Sequence, residues 1–163
     1  MLSVVNGVFS FNCEHLSLYI FEQLIGRSEL ETVELYNFQK QTSLKGLDVL
    51  LQVKNLSVSG ELTQMRPFTF QWAYILQLKE LRSLELEGLG ISLLHPEINR
   101  LEKLEVLKLK SNLLTKVPDT LWEMKTLKHV DLTDNWISKS YLESKKSLLP
   151  SLETFLVEEN QPC

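Results

Sequence analysis

Apolar residues along this chain keep two rhythms at once. Within 101–112, Leu101, Leu104 and Leu107 are three apart, the spacing of one helical face, while Leu107 and Leu109 are two apart, the spacing of one strand face. Neither rhythm persists, but the whole unit recurs. Leu104-x-x-Leu107-x-Leu109-x-x-Asn112 returns 23 residues later as Leu127-x-x-Val130-x-Leu132-x-x-Asn135. It is found 23 residues earlier as Leu81-x-x-Leu84-x-Leu86-x-x-Leu89. A longer unit ends in Leu152-x-x-Phe155-x-Val157-x-x-Asn160, and Val53-x-x-Leu56-x-Val58, Leu30-x-x-Val33-x-Leu35 and Asn6-x-x-Phe9-x-Phe11 keep the frame upstream. The units start at 6, 30, 53, 81, 104, 127 and 152. A second pattern repeats between them, with Ile91, Leu94, Ile98 and Leu101 aligning with Leu114, Val117, Leu121 and Met124.

These spacings predict one short strand per unit. Leu84 and Leu86, Leu107 and Leu109, and Val130 and Leu132 then face one interior, and the residues between them face water. No unit can bury its apolar row alone, so the units must stack. Longer connecting stretches predict helices over 15–25, over 67–78 with Pro67 near the first turn, and over 139–149. Asn112, Asn135 and Asn160 are expected to form a ladder that ties the turn after each strand. Leu89, Glu61 and Phe38 take that place upstream, so the turns of the amino half should be built differently.

The pattern resembles the leucine-rich repeat family, whose signature L-x-x-L-x-L-x-x-N/C-x-L recurs about every 20–29 residues. Pro96 before Ile98 and Pro118 before Leu121 look like the short repeats common in bacterial members. The resemblance implies an α/β solenoid, curved, with a parallel concave sheet of about seven short strands and a convex side of turns and short helices. It implies one domain over 1–163, with a first turn or cap at 1–29, degenerate repeats at 30–80 and regular repeats at 81–163. It also implies a non-catalytic scaffold that binds a protein through its concave face. Similarity to short bacterial members, some of pathogenic spirochaetes, suggests a host-interaction or virulence role. An intracellular regulatory subunit docking on an enzyme, and a glycan- or metal-dependent adhesin, remain as alternatives.

Composition narrows the class. The chain of 163 residues is 44% hydrophobic and 23% charged, ordinary for a globular domain, and its net charge of −4 argues against a nucleic-acid partner. No apolar run approaches the length of a membrane span. The start, MLSVVNGVFSFNC, has no basic residue before its apolar run and is interrupted by Asn6, Gly7 and Ser10. It reads as part of the fold rather than a signal peptide, which places the protein in the cytoplasm by default, with a secreted or surface location as the alternative. Cys13 and Cys163 lie at opposite ends of the stack. Seven strands span roughly 29 Å, whereas a disulfide needs Cα atoms within about 7 Å, so an internal bridge is not expected. His15, His95 and His129 fall in different units and no catalytic or phosphate-binding motif is present, so no enzyme, metal or cofactor is expected.

The candidate site is the outward side of the strands. Glu34 and Tyr36, Glu85 and Glu87, Lys108 and Lys110, Asp131 and Thr133, and Glu158 stand at alternate strand positions and are the expected partner-binding residues. Glu85, Lys108 and Asp131 should lie side by side, as should Glu87, Lys110 and Thr133; the competing reading is a set of cross-strand ion pairs. Asp131, Asp134, Glu158 and Glu159 form an acidic corner, read as solvated acids rather than a calcium site. Leu113 and Trp136 occupy equivalent turn positions and Trp122 is expected on the convex surface, so the three are candidate apolar anchors. The last strand lies close to residue 163, which predicts a monomer or a weak dimer through an open edge.

Overall fold

The computed structural model describes residues 4–15, 20–39, 42–61 and 70–160. Seven strands form one parallel sheet in sequence order: β1 (Val8–Asn12), β2 (Thr32–Tyr36), β3 (Asn55–Ser59), β4 (Ser83–Glu87), β5 (Val106–Lys108), β6 (His129–Asp131) and β7 (Thr154–Leu156). The register is that of the repeat. Phe9, Val33, Leu56, Leu84, Leu107, Val130 and Phe155 are successive partners across the sheet. Leu104, Leu107 and Leu109, and their equivalents from Leu30 to Leu132, are buried in one continuous core.

A second row of bonds runs beside the strands. The amides of Lys54, Arg82, Glu105, Lys128 and Glu153 each donate to the carbonyl of the equivalent residue one unit back, at 2.7–2.8 Å. The connections are mostly 3-10 turns, as at Ile98–Arg100 and Asp119–Glu123. The helix expected over 67–78 is seen as α1 (Trp72–Ile75); 62–69 lie outside the described residues. Where a helix is expected over 15–25, 3-10 turns occupy Cys13–His15 and Phe21–Leu24, with 16–19 outside the described residues. Over 139–149 the expectation holds: α2 (Lys139–Lys145) continues into a 3-10 turn, and the Ser138 hydroxyl caps its start by accepting from the Tyr141 amide.

The asparagines tie each turn to its neighbour. Asn112 Nδ2 donates to Leu109 O at 3.0 Å in its own unit and to Leu86 O at 2.8 Å in the preceding one. Its Oδ1 accepts from the amides of Leu89 at 3.2 Å and Ile91 at 3.1 Å. Asn135 bonds Leu109 O and Leu132 O and accepts from Leu114, and Asn160 bonds Leu132 O and Val157 O and accepts from Ile137. The residue before each asparagine is left-handed: Ser111 at φ 55°, Asp134 at 53° and Glu159 at 58°. Upstream, glycines at that place let the turns close by backbone contact. A Cβ on Gly60 would lie 2.5 Å from Phe38 O, and one on Gly88 would collide with Gly60 O.

Trp122 is not on the convex surface. It is 6% exposed, packed edge-on against Tyr141 of α2 at 6.4 Å and Phe155 of β7 at 6.5 Å between ring centroids. The longer unit after Asn135 supplies the helix that covers it, which removes Trp122 as a candidate anchor. Its indole N–H is buried and has no acceptor among the described residues.

Two outcomes are expected in urea denaturation. Asn112→Ala strips a buried side chain from five backbone partners, Lys110 O among them, and should cost about 2–4 kcal/mol, clearly more than Asn160→Ala, whose side chain is only half-buried. Trp122→Phe should stay within about 1 kcal/mol of the parent, because it removes an unsatisfied donor while keeping a ring, whereas Trp122→Ala should cost about 3–5 kcal/mol.

Candidate functional site: the concave sheet face

Alternation along each strand puts three outward columns on the sheet. The middle column includes Glu34, Ser57, Glu85, Lys108, Asp131 and Leu156, which are register partners on β2 to β7. The column on the carboxyl side carries Tyr36, Ser59, Glu87, Lys110, Thr133 and Glu158. The amino-side column carries Asn55, Ser83, Val106, His129 and Thr154. This third column is absent from the residues expected from sequence. Its signal was available, because position 83 is two residues before Glu85 and therefore shares its face.

Many of the expected binding residues are engaged within the protein. Lys108 Nζ lies 2.9 Å from Glu85 Oε1, and Lys110 Nζ 3.8 Å from Glu87 Oε1. Glu34 accepts from the Ser10 hydroxyl, and Glu158 holds Lys139 of α2 at 2.6 Å. Asp131 Oδ1 accepts from the Thr133 amide at 2.9 Å and hydroxyl at 2.7 Å. Tyr36 stands 45% exposed. Over β4–β7 the face hollows into a cleft of about 360 Å³ lined by Ser83, Glu85, Val106, Lys108, His129, Val130, Asp131, Thr154 and Leu156. Leu156 is 45% exposed at its rim.

The other candidates lie elsewhere. Leu113 and Trp136 are half-buried at their turns, where their amides donate to Ile91 O and Leu114 O. Among the described residues, no three His, Cys, Asp or Glu side chains are gathered so as to hold a metal ion, and no helix is long and apolar enough to cross a membrane. Cys13 is buried, and burial pushes its thiol up to about 11. Cys163 lies outside the described residues.

A charge ladder runs along the strand entries, beside the bonded amides. Glu31 meets Lys54 at 2.5 Å, and Glu105 is held at 2.6 Å both by Arg82 and by Lys128. Hydrogen bonds from Lys128 and then Arg82, reinforced by their charges, hold the Glu105 carboxyl below its ordinary range, and the bond to Glu105 raises Lys128.

The family model described as leucine rich repeat matches residues 79–137, the stretch that contains β4 to β6. A Leptospira interrogans LRR protein shares 24% identity over 86% of this chain and 40% of its own, with a TM-score of 0.60. Internalin C2 from Listeria monocytogenes shares 18% identity over 96% of this chain and 73% of its own, with a TM-score of 0.64. The plant peptide hormone receptor RGFR1, solved in complex with RGF2, shares 18% identity over 89% of this chain and 26% of its own, with a TM-score of 0.57. This chain thus spans about two fifths of the Leptospira protein. No curated protein matches it. These likenesses establish the expected fold.

The ladder sets a pH dependence. A lowered carboxyl stabilises the fold above its ordinary range, and the contribution is lost as pH falls through the lowered value; the raised Lys128 loses its share only in strong alkali. NMR titration should therefore find the Glu105 midpoint below its ordinary 4.5, moving upward in Lys128→Gln. Stability measured in urea should fall less steeply in Glu105→Gln than in the parent as acid is added below that pH.

Proposed function

We propose that this leucine-rich-repeat solenoid is a non-catalytic scaffold that binds a protein partner across the concave face of β4–β7. One observation carries the reading: the cleft sets apolar surface, half-buried Val106 and exposed Leu156, among fixed charges, Glu85, Lys108 and Asp131. That mixture suits a protein surface better than it suits water. The fold supports it, since stacked repeats present a long rigid surface to a partner. So does the plant receptor, a peptide hormone receptor of similar fold solved in complex with RGF2. Proteins of this repeat class are typically binding scaffolds rather than enzymes. The bacterial likenesses add a host-facing role to the proposal. That role requires the protein on the cell surface or in the medium, and its complete retention in the cytoplasm would remove it.

Affinity capture from the native environment, with the parent beside a Lys108→Glu, Lys110→Glu double variant, tests the face. Both lysines are about half-exposed and their ion pairs are worth at most about 1 kcal/mol each, so the variant should remain folded. Its captured partner should fall at least about tenfold, the effect of reversing two interfacial charges. Undiminished capture by a folded double variant would show that the partner does not use this part of the sheet.

A further inference from the structure

We infer that the cleft over β4–β7 seats a cationic side chain, a lysine or arginine of the partner, with Asp131 as its counter-ion; this rests on the concave-face reading above and names the chemistry of its contact. Glu85, Lys108 and Asp131 are register partners in one row. Lys108 lies 2.9 Å from Glu85 and is committed to it. Asp131 uses Oδ1 for the Thr133 amide and hydroxyl, and its Oδ2 has no partner among the described residues. With Glu85 and Lys108 neutralising each other, the cleft keeps one net negative charge on a half-buried carboxylate. Val106 and Leu156 give it apolar walls.

An incoming group must therefore bring a positive head and an apolar stem, the construction of lysine and arginine. A carboxylate would meet Glu85 and Asp131, and a wholly apolar group would cover Asp131 Oδ2 without bonding it, which is costly. A bare metal ion would find two carboxylates, one of them already paired with Lys108, where it needs several ligands.

The probe is a short peptide, Ac-Gly-Leu-Arg-Leu-Gly-amide, set against its neutral twin with citrulline in place of arginine. Each is titrated into the full chain while amide NMR shifts are followed. The arginine peptide should move Val106, His129, Asp131 and Leu156, and citrulline should weaken binding about three- to five-fold, the range of a single exposed ion pair. Asp131→Asn should weaken it equally, since the amide oxygen can still accept from Thr133 and the fold is kept. Added salt should weaken binding of the arginine peptide. Equal binding of the two peptides, or an unchanged affinity in Asp131→Asn, overturns the inference. Its failure is distinct from that of the function. If the double lysine variant loses its partner while the two peptides bind alike, the face binds protein without this cation. If capture survives in the double variant, the concave-face reading falls and this inference with it.

Discussion

No unit of this chain can bury its own apolar row, and the rest of the structure follows from that constraint. Leu104, Leu107 and Leu109 are shielded only because Leu81, Leu84 and Leu86 lie on one side and Leu127, Val130 and Leu132 on the other. Burial at roughly 25 cal/mol per Å² favours stacking but does not fix the offset between neighbours. Directional bonds do. The amide row from Lys54 to Glu153 and the asparagine side chains both reach back by one unit, and Asn112 bonds carbonyls in two units at once. A unit slipped by one residue would turn its leucines toward water and leave those groups unpaired.

Fixed register has an electrostatic consequence. Equivalent residues in adjacent units sit about 4.8 Å apart, so a charge repeated with the leucines would repel itself along the whole stack. The columns instead pair opposite signs: Glu31 with Lys54, Glu80 with Lys103, Arg82 and Lys128 with Glu105, Glu85 with Lys108. Much of the charged surface is thereby explained by stacking alone. Function is better sought where the alternation leaves something over. Asp131 follows Lys108 in its column, but Lys108 is already held by Glu85, and the next member of the column is Leu156 rather than a cation.

The parts of the fold that depend on apolar spacing were legible in the sequence. The seven starts place every strand, from the Phe9–Val33 pairing to the Val130–Phe155 pairing. What was not legible depends on contacts outside the repeat. Trp122 occupies a position that is polar in the preceding unit, Asn99, and only the helix that follows Asn135 turns it inward. The connections are mainly 3-10 turns because apolar positions three apart also suit that tighter coil. In the candidate site, the middle and carboxyl-side columns follow from the alternation along each strand. The amino-side column with Val106 and His129 was missed because those residues flank the strand's central inward position rather than follow it.

The same geometry separates the demands of folding from those of recognition. The inward positions and the asparagines are each held by neighbours on both sides, so a change there disturbs two interfaces. An outward residue such as Leu156 or Val106 touches solvent, and its replacement alters the face at little cost to the stack. The four strands β4–β7 therefore act as a rigid support on which the side chains over the cleft can vary almost freely. A partner that reads such a surface is selected by the few groups the stack does not already use. Over β5–β7 those are the Asp131 oxygen that has no partner among the described residues and the apolar side chains beside it, and under the proposed reading such a face would discriminate by charge sign and stem length rather than by changing its shape.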